Sequence, residues 1–421
     1  LPSADDYGFS IDIGTTHITI RLAAIDSLQV LREVIIPNPQ IAFGLDVISR
    51  IAYATRAREN SAQLTALIRS SVKDGVDVLL EQSRISQSSV KQVVVVGNTV
   101  MHHLFFDLPL SSLTRYPYVA EGKDAILTSC GNIGLTEISQ AECYSPRLIE
   151  SFIGADAPAM ILASGFLKAK NNRIAIDIGT NTEIIVASSK GVWAASAASG
   201  PAFEGMSMEC GMVGQGGAIS SLTIDRKTLK PSIRVLGNEK PRGICGTGAI
   251  SSLAEMLDTR ILLSTGSFNR SLKSRWLKVV GPISHYVLAN RRASSTGLPI
   301  VISQPDVRML QQSKAAIRGV IDVLLHESNL LASDVESLYI TGVFGANLQI
   351  DNAYRIGMFP KFTRVKIEQK SRCASIGAEM LFHSENRKRI SQFLKQVTYI
   401  EMSDNPHFQK QFLASIPFPD Q

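Results

Sequence analysis

Two short stretches of the chain place an Asp, a Gly and hydroxyl residues in the same order. The first is Asp12-Ile-Gly14-Thr15-Thr16 and the second is Asp177-Ile-Gly179-Thr180-Asn181-Thr182. Each follows a run of apolar, β-prone residues and precedes another, so each reads as a β-hairpin with chemistry at its tip. Glycine lacks the Cβ that would hold a backbone away from an anion, the turn aims N–H groups outward, and Thr and Asn add donors. Such a tip cradles phosphate oxygens, and the Asp beside it offers an oxygen ligand to hydrated Mg2+. One Asp-Gly turn is ordinary hairpin chemistry. Two copies, each after a buried strand and without the lysine of a P-loop, point to a nucleotide. Asp12 and Asp177 are the candidate metal ligands; Gly14, Thr15, Thr16, Gly179, Thr180, Asn181 and Thr182 are the candidate phosphate contacts.

The elements that must position these tips also occur twice. Residues 8–37 read as three strands, and Phe43–Arg58 and Ala62–Gln82 carry helical apolar spacing, with Leu64, Leu67, Ile68, Val72, Val76, Leu79 and Leu80 on one stripe. Gln92–Val96 is a buried strand running into Gly97-Asn98-Thr99, residues 107–150 read as irregular, and a helix starts near Gly154 with Pro158 in its first turn. In the second half, strands reach about Ala197, a Gly-rich region covers Gly200–Gly217, and further strand-like segments follow. A helix over Ser313–Leu325, a strand over Ser337–Gly342 and a helix over Cys373–Phe382 complete the set. One offset of 245 residues carries Val72 to Ile317, Asp77 to Asp322 and Gly97 to Gly342 without a gap, whereas the tips are 165 residues apart. The second half therefore holds about 80 extra residues, which must lie within about 198–312. Two lobes are expected, 1–166 and 167–421, facing each other across a cleft with one tip from each on a single polyphosphate.

Composition agrees with a globular protein of 421 residues, 45% hydrophobic and 19% charged. No stretch approaches the roughly 18 apolar residues of a membrane span, and no leader opens the chain, so a cytoplasmic protein without a membrane partner is expected. Net charge is +6 with the basic residues dispersed, which favours an acidic protein partner over nucleic acid. Five widely spaced cysteines form neither a disulfide framework nor a Cys-x-x-Cys cluster pattern.

This arrangement resembles the acetate and sugar kinase, Hsp70 and actin superfamily, which implies an α/β fold of two RNase H-like lobes around a nucleotide cleft. Asp12–Thr16 looks like its first phosphate motif, Asp177–Thr182 like its second, and Tyr339–Gly345 like its adenosine motif. Gly154–Gly165 and Cys373–Leu381 look like its two connecting helices. More narrowly, the chain is similar to the ATPase portion of the reductive activators of corrinoid proteins. That likeness rests on Asn38-Pro39-Gln40, Gly44-Leu-Asp46-Val-Ile-Ser-Arg50, Gly97-Asn98-Thr99-Val-Met101-His102-His103, Ser199–Gly205, Gly243–Gly248 and Ile356–Pro360. It implies ATP and Mg2+ as cofactors and ATP hydrolysis that helps return inactive Co(II) corrinoid to Co(I) in a methyl-transfer system. The corrinoid protein is the implied partner, with a possible homodimer and a low-potential electron donor acting through an iron-sulfur module. The cysteines here place that module outside this chain. The start at Leu1 fits a piece of a longer protein, and equally a natural protein that borrows its reductant.

Several residues keep two readings. Gly342 and Gly345 allow close packing after a buried strand or contact the nucleotide; Gly246 and Gly248, in the Gly243–Gly248 turn, have the same choice. Asp156 caps a helix, or lies near the terminal phosphate as a catalytic acid that positions water, the role implied by the superfamily. Glu204, in a Gly-flanked loop, stands likewise. His102 and His103 read as structural rather than as cobalt ligands, and Cys245 as a buried free thiol rather than a cluster ligand. The competing functions are a small-molecule kinase, a cluster-bridging activator of a dehydratase or ring reductase, and a nucleotide-sensing module without catalysis.

Overall fold

The alternating apolar run before the first tip folds as β1 (Tyr7–Ile13), antiparallel to β2 (His17–Ala24), which in turn pairs with β3 (Val30–Pro37). The computed structural model describes residues 6–168, 170–342 and 344–420; residues 1–5 of the first expected lobe, residues 169 and 421 of the second, and Val343 of the Tyr339–Gly345 stretch lie outside them. The valine run is β4 (Val90–Gly97), parallel to β1. With β5 (Ile126–Ser129) and β6 (Glu142–Ser145) it completes a six-stranded sheet of order β3-β2-β1-β4-β6-β5. These last two strands fall in the stretch expected to be irregular. Each has four residues, too few to display a period, and β6 is recruited by parallel pairing with β4.

The helix expected over Phe43–Arg58 is shorter. A 3-10 turn covers Pro39–Phe43, and α1 (Val47–Ala54) begins only after Asp46, whose carboxylate accepts from Ser49 N at 2.7 Å in a capping box. The following α2 (Arg58–Ser83) buries the predicted stripe except for Leu67, which stays partly exposed at its edge: Leu64, Ile68, Val72 and Leu79 have no exposed surface. Next come α3 (Thr99–Phe106), capped by Asn98, and α4 (Asp156–Ser164).

The second tip lies between β7 (Arg173–Ile178) and β8 (Thr182–Ser188), followed by β9 (Gly191–Ala197). Two three-stranded sheets then intervene. One has the order β11-β10-β12 and is made by β10 (Ala218–Ile224), β11 (Pro231–Val235) and β12 (Gly243–Ile244), with α5 (Gly246–Asp258) packed on β10. The other contains β13 (Leu277–Val280), β14 (Ile283–Ala289) and β15 (Ile300–Ser303) in that order.

The long helix α6 (Gln304–Glu327) starts well before Ser313, because Ser303 and Asp306 close a capping box with Pro305 in the first turn. The chain ends with β16 (Ser337–Thr341), α7 (Ile350–Arg355), β17 (Lys366–Gln369), α8 (Cys373–Met380), α9 (Ser384–Leu394), β18 (Val397–Tyr399) and α10 (Pro406–Ser415).

The second large sheet has the order β17-β16-β7-β8-β9-β18. Read from β9 to β17, it repeats the order from β3 to β6 of the first. Helices α2 and α6 obey the 245-residue offset as well, down to the pairs Lys73–Asp77 and Arg318–Asp322, both 2.7 Å. By internal packing the chain forms two units, 1–175 with 187–194 and 372–399, and 176–186 with 195–371 and 400–421. Among the described residues no helix is long and apolar enough to cross a membrane.

Candidate nucleotide site

In the first unit the tip is held from behind by buried polar side chains. Gly14 N donates to His17 O at 2.9 Å and closes the turn, where a Cβ on Gly14 would meet that same oxygen at 2.8 Å. Asn38 Nδ2 donates to Gly14 O at 2.9 Å, and Asn38 N donates to Thr16 O at 2.9 Å. Asn98 Nδ2 donates to Thr15 Oγ1 at 3.0 Å. Arg50, fully buried, donates through Nη2 to Thr15 O, through Nε to Gly44 O at 3.0 Å and through Nη1 to Gln40 Oε1 at 3.3 Å. Burial lowers its pKa to about 10, which leaves the guanidinium charged at neutral pH.

The Asn-Pro-Gln, Gly-x-Asp and Gly-Asn-Thr stretches are thus the scaffold that pins the tip, with a buried cation under its backbone. Their sequences were conspicuous, but nothing local to them reveals this shared target.

The carboxylates of the first unit stand nearby. Asp12, at the end of β1, accepts a hydrogen bond from Ser375 Oγ at 3.2 Å, and its pKa is pushed up to about 6 by burial against that bond. Asp156 is the first residue of α4 rather than its cap; Ala155 holds the cap position, and Ala157 N donates to Asp156 Oδ1 at 2.9 Å. Burial first, and then the charge of Asp12, raise Asp156 to about 7. Close backbone approach brings α4 here: Ala155 N donates to Gly97 O at 2.8 Å, and a Cβ on Gly154 would stand 2.3 Å from that oxygen. Ser375 arrives on α8 from the far end of the chain. Its partner is 363 residues away, so no pattern in the sequence could disclose it.

In the second unit the tip is built alike with different partners. Gly179 N donates to Asn181 O at 3.2 Å, Thr180 Oγ1 donates to Glu204 Oε1 at 2.9 Å, and Ser199 Oγ donates to Gly179 O at 3.2 Å. Thr182 Oγ1 and Ser199 Oγ share a hydrogen bond of 2.8 Å. Gly342, at φ +88°, packs where a Cβ would lie 2.4 Å from Ile178 O and 2.9 Å from Asp177 Oδ1. It therefore sits against the base of the Asp177 tip, while Gly345 packs against Ile340 and Ile178. Gly246 and Gly248 let the start of α5 approach Phe203 O and Ile219 O, where a Cβ would come within 1.8 and 2.1 Å. Above Gly246, Phe203 and Phe344 stack with centroids 5.2 Å apart.

His102 and His103 are buried in α3, and burial drives the His102 imidazole down to about 3, so it is neutral. His103 Nδ1 lies 2.8 Å from Thr99 O. Cys245 is a buried thiol at the N-cap of α5.

Each tip offers oxygen donors and backbone N–H groups, and among the described residues no cluster of three or more His, Cys, Asp or Glu is placed to hold a metal. Such a donor set suits Mg2+, which keeps several waters and takes one or two carboxylates together with phosphate oxygens. Two half-buried carboxylates that accept from a hydroxyl and from a helix N–H are the groups a cation would stabilise.

Comparison with known proteins shows what the chain as a whole is similar to. The family model described as the C-terminal domain of RACo, the ASKHA domain, matches residues 171–421, and the RACo middle region matches residues 7–169. The chain is 30% identical over 422 residues to the corrinoid activation enzyme RamQ of Eubacterium limosum, covering 98% of this chain and 70% of that one. It is 24% identical over 446 residues to the [Co(II) methylated amine-specific corrinoid protein] reductase of Methanosarcina barkeri, covering 98% and 77%. A solved reductive activator for a corrinoid, iron-sulfur protein superposes with a TM-score of 0.89 at 26% identity, over 100% of this chain and 67% of that chain.

Proposed function

Since this chain belongs to the RACo family, the reductive activators of corrinoid proteins, we propose that it couples ATP hydrolysis to the return of a Co(II) corrinoid protein to Co(I). The observation that carries the reading is the pair of Asp-Gly-Thr tips, one of them pinned over a buried arginine. Phosphate oxygens are received by the backbone and hydroxyls of Gly14–Thr16 and Gly179–Thr182, and Gly342 and Gly345 lie beside the nucleoside. Asp12 in one unit and Asp177 in the other would each offer a carboxylate oxygen to Mg2+, which would supply neutralisation of the charge that develops on the phosphates. Asp156 orients the attacking water. No covalent enzyme intermediate is required, so catalysis is positioning plus charge stabilisation.

One electron enters the cobalt and none passes through ATP. The step is uphill for ordinary donors, and binding and hydrolysis supply the bias by switching affinity for the corrinoid partner between two states. We assign the lobes as 1–166 and 167–421, apart from residues 372–399, which pack with the first unit, with the insertion within about 198–312, and the electron donor to a separate module. The relatives RamQ and the Methanosarcina reductase carry names of this activity, which supports the assignment over a small-molecule kinase.

The test is anaerobic reduction of a Co(II) corrinoid protein by a chemical low-potential donor, followed by the Co(I) absorbance. Co(I) is expected to accumulate only with Mg-ATP and this chain. Asp12→Asn and Asp177→Asn each lower ATP turnover by about a hundredfold, the scale of losing one preorganised electrostatic contact. Co(I) formation that is indifferent to ATP, or phosphorylation of an added sugar or acyl acid, sinks the reading.

A further inference from the structure

The net charge of the molecule is concentrated where its sequence looks unremarkable. Basic residues are scattered along the chain, but acids are not: between Asp258 and Asp306 there is no Asp or Glu, while seven Lys and Arg occur. Seven positive charges against a net of +6 for the whole chain leave the rest close to neutral. All seven are exposed, and among the described residues none takes part in an ion pair.

At the centre of this stretch is the β13–β14 hairpin. Here β13 is an edge strand, paired with β14 on one side, and among the described residues no other element packs substantially on it. Alternate backbone N–H and C=O groups of an edge strand point away from its partner. The edge is also apolar: Val279 is 58% exposed, Val280 is 65% exposed, and Ile283 beyond the turn is exposed too. Edge strands are ordinarily blunted by charge, proline or brevity. This one is short and carries Lys278, yet it keeps both valines in water; Arg270, Lys273 and Arg275 lie just before it in the chain, and Arg270 Nη2 reaches the turn beyond it, donating to Pro282 O at 3.2 Å.

We propose that β13 is a docking edge for an acidic, extended segment of a partner protein, which adds to the sheet as a fourth strand. Strand addition gives affinity through main-chain hydrogen bonds and selectivity through alternate side chains; here the valines take apolar residues and the surrounding cations take carboxylates. Nucleic acid is the weaker fit, because the rings that could stack on bases are engaged. Tyr286 is buried with its hydroxyl on Leu229 O at 2.9 Å, Phe268 is buried, and Arg275 already covers Trp276 at 5.0 Å. A bilayer fits worse, since the unpaired backbone of an edge cannot enter hydrocarbon. On the functional reading above, on which the partner's identity rests, the segment belongs to the corrinoid protein.

A ten-residue peptide of alternating Glu and Val is the direct probe, followed by Trp276 fluorescence. The wild-type chain is expected to bind it with an affinity that falls steeply with salt. The quadruple variant Arg270→Glu, Lys273→Glu, Arg275→Glu, Lys278→Glu should lose at least tenfold, with unchanged circular dichroism and unchanged partner-free ATP turnover. Equal affinity of the two proteins, no binding by the wild type, or tighter binding of random duplex DNA or phosphatidylglycerol vesicles than of the peptide each overturns the docking edge. Competition of the peptide with the Co(II) corrinoid protein then settles the partner. If the corrinoid protein fails to bind either protein while the peptide result holds, the functional reading falls and the docking edge stands.

Discussion

Arg50 shows how a single buried charge organises a site it does not face. Its guanidinium spans Gly44 O, Gln40 Oε1 and Thr15 O, and three acceptors would be left unpaired if it were removed. Leaving buried polar groups unsatisfied costs roughly 1–3 kcal/mol apiece. Arg50→Met is therefore expected to lower stability in urea by about 3 kcal/mol or more, and to weaken ATP binding because the tip behind Thr15 loses its anchor. Arg50→Lys should recover little of either, since a point charge cannot reproduce a planar fork with three separate acceptors. Equal ATP affinity in Arg50→Met and wild type would show that the anchor is dispensable.

Helices α4 and α8 set the carboxylates in place through small residues at their crossing. A Cβ on Gly377 would lie 1.9 Å from Ala159 O, so only glycine permits this approach. Because α4 starts with Asp156 and α8 carries Ser375, the hydrogen-bond partner of Asp12, spreading the helices moves the acids apart. Gly377→Val is expected to destabilise by the 1–3 kcal/mol typical of overpacking and to reduce ATP turnover more than Gly165→Asn. Gly165 has φ +77°, and nothing would meet its Cβ.

A second element-scale device lies on α6. Lys314 is buried, donates to Ser415 O and to Pro417 O at 2.7 Å, and sits 5.2 Å from the Phe418 ring, clamping the segment after α10. Burial, reinforced by Arg318, lowers its pKa from 10.5 to about 7. Between those values the unfolded chain holds the extra proton, so this group makes stability rise as pH climbs from about 7 to 10.5 and adds no slope below. Urea titrations at several pH values should show Lys314→Met losing that rise, by at most about 1.4 kcal/mol per pH unit. An unchanged slope would mean that the amine is not the source.

At the scale of the molecule, a ligand that binds only the folded state stabilises it by mass action. Mg-ATP at a hundredfold excess over its dissociation constant should add about 2.7 kcal/mol, read as a raised unfolding temperature. Asp12→Asn and Asp177→Asn should each abolish the shift; a full shift in either variant removes that residue from the site.

What the sequence disclosed follows the range of the physics involved. Hairpin tips, the α2 stripe and the β4 valines are local signals, and the duplication aligned two helices 245 residues apart because both halves keep the same periodicity. The true start of α6 was also legible, in Ser303 and Asp306, three apart and flanking Pro305. What stayed hidden is contact between distant segments: Ser375 on Asp12, the parallel partner of β6, and the convergence of Asn38, Arg50 and Asn98 on one turn. A residue type fixes what a side chain can do, and only the fold decides to whom.

The return of residues 372–399 to the first unit bears on how the protein is made. Helix α8 packs on β1 and β4, and Gly8 leaves room for the Phe382 ring that follows it. A ribosome releases the first sheet long before it synthesises that cover. The nascent strands must wait with one apolar flank bare, so a premature stop anywhere upstream of Cys373 yields an aggregation-prone stub rather than a smaller working protein.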